Sequence, residues 1–236
     1  MLTRATGIPG DQVGYIEYMT DRPDARPWIP EPGERTPQTL AAAAHRCRGC
    51  DLYRDATQPV MGCGAPDAPY LLVGEQPGNS EDLAGKPFVG PAGKVLDDAL
   101  RRAGIAPDEV FTTNAVKHFR FRERGKRRIH QAPNRTQIVA CRPWLLAEID
   151  MVRPQVVVLL GASAGQAIFG PTFRVGRARG AVLDWPAAEL PIEHSRPPLL
   201  ATVHPSAVLR GRERRGELLD DLVHGLQHAR QLRTST

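Results

Sequence analysis

The chain has 236 residues, of which 41% are apolar and 24% charged, and a formal net charge of +5 with a pI near 9.3. That length suits one α/β domain with a well-buried core, and no apolar run approaches the ~20 residues a membrane span needs. The opening MLTRATGIPGDQVGYIEYM has neither the apolar core nor the small-residue cleavage site of a secretion signal, so a cytoplasmic location with reduced cysteines is expected; a monomer is expected as well.

Residues 1–36 are rich in Pro, Gly, Thr and charge. They lack periodic apolar residues and read as an extended or disordered arm, with Trp28 and Ile29 able to pin it to the body. Residues 37–236 read as one domain. Thr39 to Cys50 reads as a short helix running into a Cys-x-x-Cys turn. PYLLVGEQPG is a short apolar run ended by Gly74, hence a buried strand. PAGKVLDDALRRAGI follows as a helix, with Val95, Leu96, Ala99, Leu100 and Ala103 on one face. EVFTTNAVK reads as a second strand and RTQIVACRPWLLAEIDMV as a helix that Pro143 should start or kink. QVVVLLGASAGQAIFG repeats the strand-glycine-helix pattern, PPLLATVHPSA supplies a fourth strand, and ELLDDLVHGLQHARQL closes as a helix. This alternation predicts an α/β fold whose mainly parallel sheet is covered by helices on both faces.

Between Lys117 and His130 lie seven Lys/Arg against one acid, Glu123, a local charge of +6. Phe119 and Phe121 alternate with Arg120 and Arg122, a mixture of phosphate-neutralising charge and stacking rings that suits single-stranded nucleic acid. The run is read as a basic loop; an ordinary solvated loop is the plainer alternative. Parallel sheets bind ligands at the carboxyl ends of their strands. The residues leaving the four strands are Glu75 and Gln76, Asn114, Gly161 to Ser163, and His204. Each alone could be a cap or turn residue; together they point to one crevice. A P-loop is excluded, because GPAGKV has the wrong glycine spacing and Val95 where a hydroxyl is required. Asn114 and Gln76 beside Phe88 suit a planar base. Asn114 can donate to a carbonyl oxygen and accept from a ring N–H, the pattern on the edge of uracil.

GEQPG, SEDLAGKPFVGPAGK, TNAVK, ACRPWL, VVVLLGASA and VHPS resemble, in order, the motifs of the iron-sulfur branch of the uracil-DNA glycosylase superfamily. GEQPG and the KRRIH run, Lys126 to His130, resemble the UdgX-type members of that branch, which become covalently attached to uracil-containing DNA. The resemblance implies a three-layer α/β/α fold with a central four-stranded parallel sheet. It implies Glu75, Gln76, His130 and His204 as catalytic residues and Gly74, Asp82, Phe88, Asn114 and Arg128 as substrate-binding ones. Phe88 would stack on the flipped base, Asn114 read its edge, His204 steady the departing base and His130 attack the sugar. Asn79 stands where the UdgX-type members carry an acid, while Asp82 is retained. The implied partner is uracil-containing DNA, with single strands preferred because extrusion costs less there. The alternatives are a turnover glycosylase using water, with His130 only contacting DNA, and a non-catalytic iron-sulfur module.

Cys47 and Cys50 form a C-x-x-C, with Cys63 and Cys141 separate. Zinc would prefer a second compact pair, which is missing, and a thioredoxin motif would sit at a strand end. The iron-sulfur branch uses four cysteines, the third soon after TN-x-x-K, where this chain has His118. The implied ligands of a structural 4Fe-4S cluster are therefore Cys47, Cys50, His118 and Cys141, with Cys63 as the rival fourth.

Overall fold

The structure, a computed structural model, describes residues 23–186, 190 and 196–234. Helix α1 (Pro37–Ala44) leads past the cysteine turn to β1 (Cys63–Gly64) and β2 (Tyr70–Gly74). Helices α2 (Asn79–Ala84) and α3 (Pro91–Ala103), β3 (Val110–Asn114), β4 (Phe121–Arg124), β5 (Arg127–His130) and α4 (Arg135–Val152) follow. Next come β6 (Val156–Leu160), α5 (Ala162–Phe169), α6 (Val175–Ala178), β7 (Val182–Leu183), β8 (Leu199–Thr202), α7 (Pro205–Arg210) and α8 (Arg215–Thr234).

The main sheet runs β1-β3-β2-β6-β8-β7. Its centre, β3, β2, β6 and β8, is parallel as expected. The expected count of four strands is corrected to six by two-residue antiparallel strands at either edge, β1 on β3 and β7 on β8. Strands that short carry no readable alternation, and they blunt the sheet edges. Successive residues of each central strand feed opposite faces. Leu71, Val73, Val157, Leu159 and Leu199 pack with Trp144, Leu145 and Ile149 of α4 and Ile168 of α5. Tyr70, Leu72, Val156, Val158 and Leu200 pack with Leu96 and Leu100 of α3 and Leu222 and Leu226 of α8. Burial on both faces explains why these strands are continuous apolar runs. Among the described residues no helix is long and apolar enough to cross a membrane.

Pro143 neither starts nor ends α4, which begins eight residues earlier. The start is set by a reciprocal cap: Gln137 N–H donates to Asn134 Oδ1 at 2.9 Å and Asn134 N–H to Gln137 Oε1 at 3.0 Å. This satisfies two of the free amides that a helix start leaves. From residue 23 the chain already packs on the body. Ala25 is buried with its N–H on Ala140 O at 2.9 Å, Trp28 and Ile29 lie against the core, and Arg35 pairs with Asp150 at 2.9 Å. The rest of the proposed arm, residues 1–22, lies outside the described residues.

The KRRIH run is half of an antiparallel hairpin rather than a loop, with Arg124 opposite Arg127 and Phe121 opposite His130. Gly125 and Lys126 form the two-residue turn, and Gly125 adopts φ 59, which hairpin turns of this length require. The glycine signal was present in the sequence, masked by the cations around it.

Candidate active site

β2 and β3 end in register, Gly74 opposite Asn114, and β8 runs out two residues before His204. The crevice over these ends has a volume of about 890 Å³ and is lined by Glu75, Gln76, Phe88, Asn114, His130 and His204, among others. Bare backbone at Gly74 makes the centre possible. A Cβ there would lie 2.3 Å from Asn114 Oδ1, 2.8 Å from Phe88 Cζ and 3.4 Å from His204 Nε2. Amide, ring and imidazole therefore meet over one glycine. The Phe88 and His204 rings stack with centroids 6.2 Å apart. Phe88 sits at φ 56, and its carbonyl would be 1.6 Å from a Cβ on Gly93. Glu81 staples the neighbouring loops: its carboxylate accepts from Gly78 N–H at 3.0 Å and Gly90 N–H at 2.7 Å.

His204 caps α7. Its Nδ1 accepts from Ser206 N–H at 3.1 Å, which leaves the neutral ring's proton on Nε2, the nitrogen nearer Gly74. Burial, with Arg210 and His130 adding repulsion, lowers its pKa from 6.5 to about 4. It is thus a neutral hydrogen-bond donor at neutral pH. Ser206 Oγ is also 2.8 Å from Nδ1, and Arg210 Nη1 donates to that hydroxyl at 3.0 Å.

His130 enters from the hairpin, 48% exposed, with Nε2 3.4 Å from Glu75 Oε1 and 3.0 Å from Gln76 Nε2. The orientation of the Gln76 amide is fixed by backbone. Its Oε1 accepts from Arg120 N–H at 3.1 Å, while its Nε2 donates to Gln131 O at 2.9 Å and faces Arg120 O at 3.2 Å. His130 Nε2 thus lies between a donor, the Gln76 NH₂, and an acceptor, the Glu75 carboxylate: with a lone pair it faces Gln76, and as N–H it donates to Glu75. Glu75 is held in turn by Ser163, whose Oγ donates to Oε2 at 2.5 Å.

Two of the expected substrate-binding residues lie behind the crevice rather than on it. Asp82 is fully buried; it accepts from Thr57 N–H at 3.0 Å and binds Arg128 Nη1 at 2.6 Å. Arg128 also donates to Asn79 Oδ1 at 2.7 Å and lies over the Phe119 and Phe121 rings at 5.5 and 5.0 Å. It locks the hairpin to α2, leaving Lys126 and Arg127 as exposed cations at the tip. Phe119, expected as a stacking ring, is 2% exposed, and Lys117 of the same basic run is buried. Lys117 Nζ donates to Thr113 Oγ1 at 2.8 Å, Asn114 O at 2.7 Å and Glu148 Oε2 at 2.6 Å, directly under the crevice. Ser163, expected among the residues leaving the strands, does line the crevice; Ser206, Glu81 and the Lys117–Glu148 pair were missed as site residues. Only Glu81, three residues after Gly78 at a helix start, had a readable signal.

Next to that pair lie the cysteines. Cys141 Sγ accepts from Lys117 N–H at 3.2 Å and Cys47 Sγ from Trp144 Nε1–H at 3.4 Å. Burial, with mutual repulsion among Cys47, Cys50 and Cys141, pushes the Cys50 thiol to about 11 and Cys141 higher still. His118 is buried, which lowers its pKa to about 4 and keeps it neutral. Cys63 is exposed on the edge strand. Among the described residues no three or more Cys, His, Asp or Glu side chains converge as they would on a single ion.

Fold and site together define an α/β domain with a crevice at the carboxyl edge of its sheet in which an amide, an aromatic ring and an imidazole meet. A family model described as the uracil DNA glycosylase superfamily matches residues 61–227, and the chain belongs to that superfamily. It is 35% identical over 190 residues to a type-4 uracil-DNA glycosylase of Pyrobaculum aerophilum, spanning 79% of this chain and 91% of the relative. It is 33% identical over 192 residues to one of Thermotoga maritima, spanning 80% and 92%. A third, from Archaeoglobus fulgidus, is 34% identical over 181 residues, spanning 74% and 84%.

Proposed function

We propose that this protein excises uracil from DNA and then keeps the DNA, in the manner of the UdgX-type branch, through a bond from His130 to the sugar. The base enters over Gly74, Phe88 stacks on it and Asn114 pairs with its edge. The bond between C1′ and N1 of uracil breaks with both electrons leaving on the base. Nε2–H of neutral His204 donates to the uracil O2 where that charge collects, so no proton need be transferred. The sugar becomes an oxocarbenium cation, which the Glu75 carboxylate stabilises. The His130 Nε2 lone pair then forms a bond to C1′. The resulting imidazolium loses its Nδ1 proton to solvent, and the base takes one from water. A nucleophile fixed beside the sugar has a large effective concentration and outcompetes water.

The observation that carries this reading is the place of His130, lining the crevice with Nε2 3.0 Å from the Gln76 amide and 3.4 Å from the Glu75 carboxylate; release from Gln76 frees the lone pair for the sugar. The type-4 relatives favour a second reading, in which water attacks C1′ and the enzyme turns over. A uracil oligonucleotide run with the protein on a denaturing gel separates them. A protein–DNA band seen with uracil but not thymine, limited to one DNA per protein and lost in His130→Ser while uracil is still released, supports the bond. Free abasic product from the wild type over many turnovers refutes it.

What supports an iron-sulfur centre is the burial of Cys47 and Cys141 with N–H donors from Trp144 and Lys117 on their sulfurs, the kind of hydrogen bonding that surrounds metal-bound thiolates. Cys47, Cys50, Cys141 and His118 would hold a 4Fe-4S cluster, which supplies a covalent clamp between the α1 turn and the chain after β3. The protein is proposed to work as a cytoplasmic monomer and to prefer single strands.

A further inference from the structure

We infer that the cavity between the end of α3 and the last two turns of α8 is a docking site for an extended acidic peptide of a partner protein. It is separate from the crevice that takes the base, and the inference does not rest on the function proposed above. The cavity has a volume of about 590 Å³ and is lined by Arg101, Arg102 and Gly104 at the end of α3 and by Gln227, Arg230 and Gln231 of α8, among others. No residue lines both it and the crevice; α3 joins the two, with Pro91 and Ala92 of its first turn on the crevice. Ten residues of helix at 1.5 Å each hold them about 15 Å apart. Gly104 lies shortly before β3 begins, so the cavity opens at the amino end of the sheet, away from the chemistry.

Three guanidinium groups meet one carboxylate there. Arg101 and Arg102 share Asp98, with Arg102 Nε 2.8 Å from Oδ2. Exposed pairs along one helix face are weak and exchange readily for another carboxylate. Glu109, the next acid, is taken by Arg233. The Arg230 guanidinium has no hydrogen-bond or ion-pair partner among the described residues, and its place is set by shape instead. A Cβ on Gly104 would lie 3.0 Å from Arg230 Nη1 and 3.4 Å from Cζ, so the flat head rests on bare backbone. Nor is it spent on the helix end. The carbonyls of Arg101 and Leu100 already accept from Gly104 N–H at 3.1 Å and Ile105 N–H at 3.0 Å, the pairing of a glycine-capped terminus.

The neutral part of the lining decides what kind of anion fits. Gln227, Gln231 and Thr234 follow one another at spacings of four and three on one face of α8, a row about 10 Å long. That is the length of about three residues of extended chain. A side-chain amide both donates and accepts, as a peptide backbone does, whereas phosphate matches only its donor half. Arginine forks take carboxylates two hydrogen bonds at a time. Acidic side chains at the arginines and backbone along the glutamines therefore use the whole lining.

The test titrates a fluorescently labelled, end-capped Asp-Glu-Asp-Glu peptide with the full chain at low salt, followed by anisotropy. Arg102→Ala/Arg230→Ala should weaken binding about ten-fold through the loss of two charge-assisted contacts. Asp98→Asn, which releases Arg101 and Arg102 from their shared acid, should tighten it about three-fold, a gain that misfolding does not produce. Lys126→Ala/Arg127→Ala should leave it unchanged, and a saturating uracil-free oligonucleotide should bind alongside the peptide without displacing it. No binding by the wild type, equal affinity in Arg102→Ala/Arg230→Ala, or no gain with Asp98→Asn would overturn the inference. Displacement by inorganic phosphate at a concentration no higher than the peptide's would make this a phosphate site, and displacement by the oligonucleotide would make it part of the DNA path. Either result overturns the assignment to a peptide.

Discussion

Lys117→Met should be among the most destabilising single changes in the chain. The Lys117 side chain is 1% exposed and all three ammonium hydrogens are used, on Thr113, Asn114 and Glu148. Removing it strands the Glu148 carboxylate, 2% exposed, with hydrogen bonds from Gly62 N–H at 2.7 Å and Thr113 Oγ1 at 2.6 Å but no counter-charge. Breaking a buried pair in this way costs about 3–5 kcal/mol. Against a total of about 5–15 kcal/mol, that is about a fifth or more of the stability and lowers Tm by roughly 6–20 °C. Urea unfolding read by circular dichroism and by fluorescence, to which buried Trp144 contributes, measures it. Adding Glu148→Gln removes the stranded charge, so the double variant should be more stable than the sum of the two single losses by at least about 1 kcal/mol. A loss below about 1 kcal/mol for Lys117→Met, or strict additivity in the cycle, would show that the pair is not a buried ionic unit.

Gly74→Ala should abolish uracil release while leaving binding to uracil-free DNA and its salt slope intact, since the new methyl falls on Asn114 and Phe88; retained excision would mean the base does not sit there. His204 has a folded pKa of about 4 against 6.5 unfolded, so below pH 6.5 the unfolded chain takes up the proton first. Its contribution is complete above pH 6.5 and is lost as pH falls toward 4, by at most about 3 kcal/mol. His118 shares this window, so the measurement is the difference between wild type and His204→Ala in unfolding free energy across it; parallel curves would contradict the assignment. Purified protein should be brown with broad absorption near ~400 nm, weakened by His118→Ala and unchanged by Cys63→Ala. Colourless protein holding stoichiometric zinc, or the reverse ranking of the two variants, would overturn the ligand set.

The four central strands and the residues leaving them were legible because burial on both faces writes a strand as an apolar run, and the end of that run marks the crevice. Glu75, Asn114 and His204 could be placed together without knowing any contact between them. The basic run was legible as charge and misread as shape. Lys117 and Arg128 are identical in type to their exposed neighbours, and only tertiary partners, Glu148 and Asp82, decide that they point inward. Ser206 acquires its place through a cap formed after His204 is set, a contact two residues long with no periodicity to reveal it.

The hairpin also fixes a length. Phe121 opposite His130, with Gln131 N–H on Arg120 O at 2.9 Å, makes the reach of the imidazole a count of residues between two anchored points. Side chains alternate along a strand, so one residue inserted between His130 and Gln131 would turn the ring away from the crevice. Two residues there, matched by two between Arg120 and Phe121, would keep its face and lengthen the arm by about 7 Å. Reactivity at this position is therefore adjustable by chain length alone, with every chemical group left in place.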